Sequence, residues 1–108
     1  MLFLQFYTDL KNAALLQNVT IIVFSEFGRR AKDNGRGTDH GTAAPMFVIG
    51  GQNKGQIIGN NPNLEDLDNG DLKYEIDFRS VYASLLQNKL SFDYTKIGIQ
   101  NNALNGLF

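Results

Sequence analysis

The sequence has no cysteine, no tryptophan, two prolines and a single histidine. Without cysteine there is neither a disulfide scaffold nor a thiolate metal site, and the redox compartment stays open. Neither sign of charge dominates: ten Lys and Arg against eleven Asp and Glu leave a net charge of −1. That excludes a basic polyanion binder, so no nucleic-acid partner is expected. No apolar run approaches the roughly 20 residues of a membrane span, so no membrane span is expected either. The first residues, Met1 to Tyr7, lack a basic region and a small-residue cleavage site and are not read as a signal peptide.

What is present is a globular composition, 43% hydrophobic over 108 residues, enough for one small domain with a core. Nine of the eleven glycines fall between residues 28 and 70. Long glycine-rich loops in so small a domain are functional or touch something absent, so the chain is expected to belong to a larger body.

Apolar residues at Leu2, Phe3, Phe6, Leu10, Ala13 and Ala14 recur with helical spacing and predict a helix over 2–17, stopping near Asn18. Val19 to Phe24 is a continuous apolar, β-branched run, the pattern of a strand buried on both faces of a parallel sheet. Helix, short turn and buried strand make half of a right-handed α/β unit, so the expected fold class is α/β with a mostly parallel sheet. Residues 26–44 show no periodicity and read as a loop. Pro45 to Gly50 reads as a short strand and Gln56 to Gly59 as another, or as an edge. Asn69-Gly70 marks a turn. Asp77 is a good N-cap for a second helix with a Val81, Tyr82, Leu85, Leu86 stripe, ending near Asn88 to Leu90. The segment 92–108 has no strong pattern and is expected to be loose.

The chemistry gathers between residues 26 and 41. Glu26 lies two residues beyond the apolar run, where the carboxyl end of a strand in an α/β sheet would present it. It can serve as a metal ligand or general base, or pair with Arg29 to fix the turn. His40 is the chain's one imidazole, a side chain that suits divalent metals; the competing expectation is a surface or hydrogen-bonded histidine. Asp39 adjoins it but should point to the other face of an extended segment, which favours orienting the site over sharing the ion. One histidine and one glutamate do not complete a metal site.

Weaker motifs are set aside. Gly50 to Gly55 lacks the Gly-Lys-Ser/Thr ending of a P-loop and reads as a turn. Asp66, Asp68 and Asp71 lack the twelfth-position glutamate of a calcium loop and read as a solvated acidic loop. Asn18-Val19-Thr20 matches a glycosylation acceptor but abuts the expected buried strand.

Several separated motifs together resemble one family. Val23-Phe24-Ser25-Glu26-Phe27-Gly28-Arg29, then Asn34, then the run from Gly37-Thr38-Asp39-His40-Gly41 to Gly51, then Asp77-Phe78-Arg79-Ser80-Val81-Tyr82-Ala83 resemble, in order, the C-terminal part of the DUF1501 family. These are bacterial proteins of uncharacterised function, placed in the alkaline phosphatase/sulfatase-like superfamily. The resemblance implies a partial α/β/α sandwich, the C-terminal piece of an alkaline-phosphatase-like fold, with residues 1–108 as a single domain or a fragment of a larger one. It also implies export, periplasmic or secreted, with a signal upstream of this chain.

By the same resemblance, His40 is expected to be a metal ligand, with Asp39 as its acidic neighbour. Glu26-Phe27 stands where superfamily members carry an Asp-His or Asp-Asn ligand pair. Glutamate can ligate and phenylalanine cannot, so the two-metal pattern is altered here. Arg29 has no fixed counterpart in the superfamily; its expected anion-binding role rests on the guanidinium fork alone. The implied cofactor is a divalent metal (zinc, manganese or calcium) in the complete protein, not held tightly by this segment alone. The implied partner is the remainder of a parent chain, and a homo-oligomer is expected if the segment folds alone.

Overall fold

The computed structural model describes residues 2–108. In chain order it has α1 (Leu2–Asn12), β1 (Thr20–Val23), β2 (Gly28–Asp33), β3 (Thr38–Gly41), β4 (Phe47–Gly50), α2 (Phe78–Leu90) and a short 3-10 helix, Tyr94–Ile97.

The expected mostly parallel sheet is not what forms. β1 pairs antiparallel with β4, Ile21 opposite Ile49 and Ile22 opposite Val48, and β2 pairs antiparallel with β3 in a second two-stranded sheet. An apolar run reports that a strand seeks burial; it does not report strand direction. Between β1 and β4 the chain makes a hairpin instead of a crossover helix, and without a crossover the returning strand runs antiparallel. The α/β/α sandwich expectation falls with the parallel sheet. Gln56 to Gly59 forms no strand, and Ile57 is 97% exposed.

α1 is shorter than the helical pattern. It closes with Ala14 in the left-handed region (φ 56°), Ala14 N–H donating to Lys11 O and Leu15 N–H to Leu10 O. That bond pair is a Schellman ending, and it turns the chain before Leu15 and Leu16 can add another helical turn. Among the described residues α1 packs on no other helix or strand.

Three of the buried residues sit on α2: Val81, Ala83 and Ser84. Asp77 caps this helix as its sequence predicts, its carboxylate accepting from Arg79 N at 2.9 Å. The C-terminal segment lies over the same helix. Ser84 Oγ donates to Leu104 O at 3.1 Å, and Leu104 N donates to Ser80 O at 3.1 Å. This satisfies a fully buried hydroxyl, which would otherwise be costly in a small core.

Candidate functional site

Residues 28–41, unreadable as periodic structure, are the hairpin that carries the candidate residues. β2 is Gly-Arg-Arg-Ala-Lys-Asp, a strand with no apolar alternation to reveal it. Its turn is written in short polar residues. Asp33 accepts from Gly35 N, Asn34 Oδ1 accepts from Arg36 N at 2.9 Å, and Asn34 N donates to Gly37 O at 2.8 Å. Gly35 and Gly37 take the positive φ values that the return requires.

Arg29 and His40 are directly opposed in the β2–β3 register, so their side chains share a face. The His40 imidazole stacks on the Phe27 ring, centroids 3.6 Å apart and planes 12° apart. The Arg29 guanidinium lies over the same ring, 5.2 Å from its centroid, and donates to Thr38 O at 2.7 Å. Arg29, Phe27 and His40 therefore form one cationic and aromatic cluster, with Arg29 and His40 exposed.

Asp39 stands apart from this cluster. Its carboxylate accepts from Asn34 Nδ2 at 2.7 Å, and among the described residues no hydrogen bond joins it to His40. Glu26 sits on the exposed bend between β1 and β2, and among the described residues it forms no ion pair with Arg29. The structure thus brings Arg29 and His40 together and leaves Glu26 and Asp39 outside their cluster. Among the described residues, no three histidine, aspartate or glutamate side chains gather as a metal site.

Two contributors lie outside the residues the sequence singled out. Phe27, noted only as a side chain that cannot ligate, is the surface on which His40 rests. Asp71, read as part of a solvated acidic loop, is 8% exposed, and its carboxylate accepts from Thr42 N at 3.1–3.2 Å and from Thr42 Oγ1 at 2.7 Å. The Thr42 hydroxyl, its backbone N–H, the Leu72 N–H and the nearby Arg30 charge hold this carboxyl below the usual aspartate range, against the opposing effect of burial. The Asn69-Gly70 turn is legible in sequence; the bond between Thr42 and Asp71, 29 residues apart, is not.

Two glycines let these pieces meet. Gly28 and Gly41 are paired across the hairpin. A Cβ on Gly28 would come within 1.8 Å of Ala43 O, and one on Gly41 within 2.5 Å of Asp71 Oδ1.

No curated protein and no solved structure matches the chain. Residues 3–102 match the family described as protein of unknown function (DUF1501), and the chain belongs to that family.

Proposed function

We propose that this chain is the C-terminal segment of a metal-dependent, hydrolase-like protein of the alkaline phosphatase/sulfatase-like superfamily, acting on phosphate or sulfate esters, and that the segment is inactive alone. The observation that supports this most is the pairing of Arg29 with His40 on one exposed face of the β2–β3 hairpin. An imidazole suited to a divalent ion stands there beside a guanidinium suited to a tetrahedral anion.

The described residues do not fit a complete metal site, since no three donors meet. The reading therefore assigns the other ligands and the nucleophile to the remainder of a longer chain. Zinc, manganese or calcium bound there would polarise the ester and offset charge on the leaving oxygen. In this chain His40 would hold the ion, Arg29 would clamp the anion, and Glu26, exposed on its bend, would be free to reach a site completed from elsewhere. Asp39 would act through the hairpin turn it bonds.

The test is metal content and turnover of aryl phosphate and aryl sulfate by the complete protein, with and without His40→Ala. The reading expects bound metal and turnover, both lost in the variant. Unchanged metal content in His40→Ala sinks the assignment of that residue.

A second reading, a non-catalytic binding or scaffolding protein, is favoured by Phe27. It stands where the superfamily pattern has a ligand, and it covers one face of His40. Fold alone does not imply activity. Absence of both metal and turnover in the complete protein supports this reading over the first.

A further inference from the structure

We propose that Asp71, held in the turn Asp68-Asn69-Gly70-Asp71, is the positioning residue for His40. The turn is closed by two reciprocal bonds, Asp68 N to Asp71 O and Asp71 N to Asp68 O, each 2.9 Å. It then grips both strands of the hairpin. On β2, Ala31 N donates to Gly70 O and Arg30 Nη1 donates to Asn69 O, each at 3.1 Å. At the end of β3, Thr42 gives its N–H and its hydroxyl to the Asp71 carboxylate. Gly41, adjacent to His40, approaches the same carboxylate so closely that a Cβ would collide with it.

The hairpin needs such a brace. An isolated two-stranded hairpin is at best marginally stable. This one has a register irregularity between Arg29 and Asp33, and of its strand residues only Gly28 is buried. Its ladder alone does not fix where β3 stands against β2. Asp71 is the one buried charged side chain among the described residues, and its hydroxyl and N–H partners lie two residues past His40. Among the described residues no hydrogen bond or ion pair joins it to the imidazole. It sets the position of the strand that carries it, and so the stack on Phe27.

The inference rests on the proposed function only in giving His40 a task; the positioning itself is read without metal or substrate. His40 is the single histidine, so its ring-proton NMR signals in the intact chain identify themselves. Stacked on Phe27, they should be displaced upfield, and Phe27→Leu should abolish that displacement. Asp71→Asn and Thr42→Val should each remove more than half of it, with the amide signals of Val81, Ala83 and Ser84 on α2 unmoved. Thr42→Ser, which keeps the hydroxyl, should retain it. A native His40 signal in both Asp71→Asn and Thr42→Val overturns the proposal. So does loss of the α2 signals in step with the stack in both, because Asp71 would then be a residue of the whole fold. Loss of the metal reading in the His40→Ala experiment leaves this result standing, and the converse also holds.

Discussion

The Phe27 ring and the His40 imidazole lie nearly parallel, 3.6 Å apart, with the Arg29 guanidinium over the same phenyl group. A stacked pair contributes about 0.5–1.5 kcal/mol beyond the area it buries. Phe27→Ala, which removes the stack and the area it covers, should therefore lower the stability of the hairpin by at least about that amount. It should also free both faces of His40 and raise its rate of modification by diethyl pyrocarbonate. An unchanged modification rate would show that the phenyl ring does not shield the imidazole in solution.

The Gly28–Gly41 pair makes a sharper prediction. At Gly28 the added methyl would meet the backbone carbonyl of Ala43 at 1.8 Å, and backbone cannot swing aside as a flexible side chain can. Gly28→Ala should cost more than about 2 kcal/mol and disorder the hairpin. Gly41→Ala meets Asp71 Oδ1 at 2.5 Å and the Arg29 carbonyl carbon at 2.8 Å, and should break the brace as well. Gly35→Ala meets no atom within 4 Å, only an unfavourable φ of +87°, and should cost less than either. Thermal melts of the three variants would order them.

How far these features were legible depends on whether their cause is local. Asp77 as a cap, α2 from its apolar stripe, and the Asn69-Gly70 turn follow from neighbours in sequence and were readable. The direction of β1 was not, because Thr20 to Val23 looks the same paired parallel or antiparallel. β2 was hidden because a strand with little apolar contact needs no alternation. At the site, Arg29 and His40 were readable as residue types, while their pairing depends on a hairpin that polar composition concealed. Asp71 was misread as solvated because its partner Thr42 is remote in the chain.

Ala14 offers a stabilising substitution. It holds the left-handed position of the α1 ending at φ 56°, where a Cβ costs roughly 1–2 kcal/mol. Glycine avoids that strain but loses more backbone entropy on folding, so Ala14→Gly should gain roughly 0.5–1 kcal/mol net. A higher melting temperature with unchanged helicity would support the assignment. A lower one would place the end of α1 elsewhere.

Acid should act through the hydrogen-bonded aspartates Asp77, Asp71 and Asp93. Asp77 is lowered from 3.8 to about 2, chiefly by its side-chain bond to Arg79 and then by the Arg79 N–H. Asp71 is lowered by Thr42, and Asp93 by the Thr95 hydroxyl and N–H. A carboxyl depressed in the folded state contributes stability above its unfolded value and loses it as pH falls through the folded one. Stability should therefore hold above about pH 4 and decline between about pH 4 and pH 2. In denaturant melts across that range, Asp77→Asn should flatten the decline. The same slope in the variant would move its source to other groups.

The surface of the chain is larger than a closed domain of its mass would have. It exposes 8168 Å². A compact monomer of 12.0 kDa exposes about 6,000 Å². Its radius of gyration is 16.5 Å, where about 13 Å is usual. The excess is apolar in large part: Leu2, Phe3, Leu4 and Phe6 on α1 and Val23 and Phe24 at the end of β1 are all exposed. α1 is eleven residues long and among the described residues packs on no other element, and isolated helices of that length are marginal in water. β1 also offers an open edge with no charge or proline from residue 19 to 24 to guard it. The isolated chain should therefore self-associate in a concentration-dependent way, and its α1 helicity should rise with concentration. Phe3→Glu combined with Phe6→Glu should shift it toward monomer and lower helicity. Light scattering that showed a clean monomer at about 100 µM, with a cooperative melt, would refute this, because free association near micromolar affinity should by then be nearly complete.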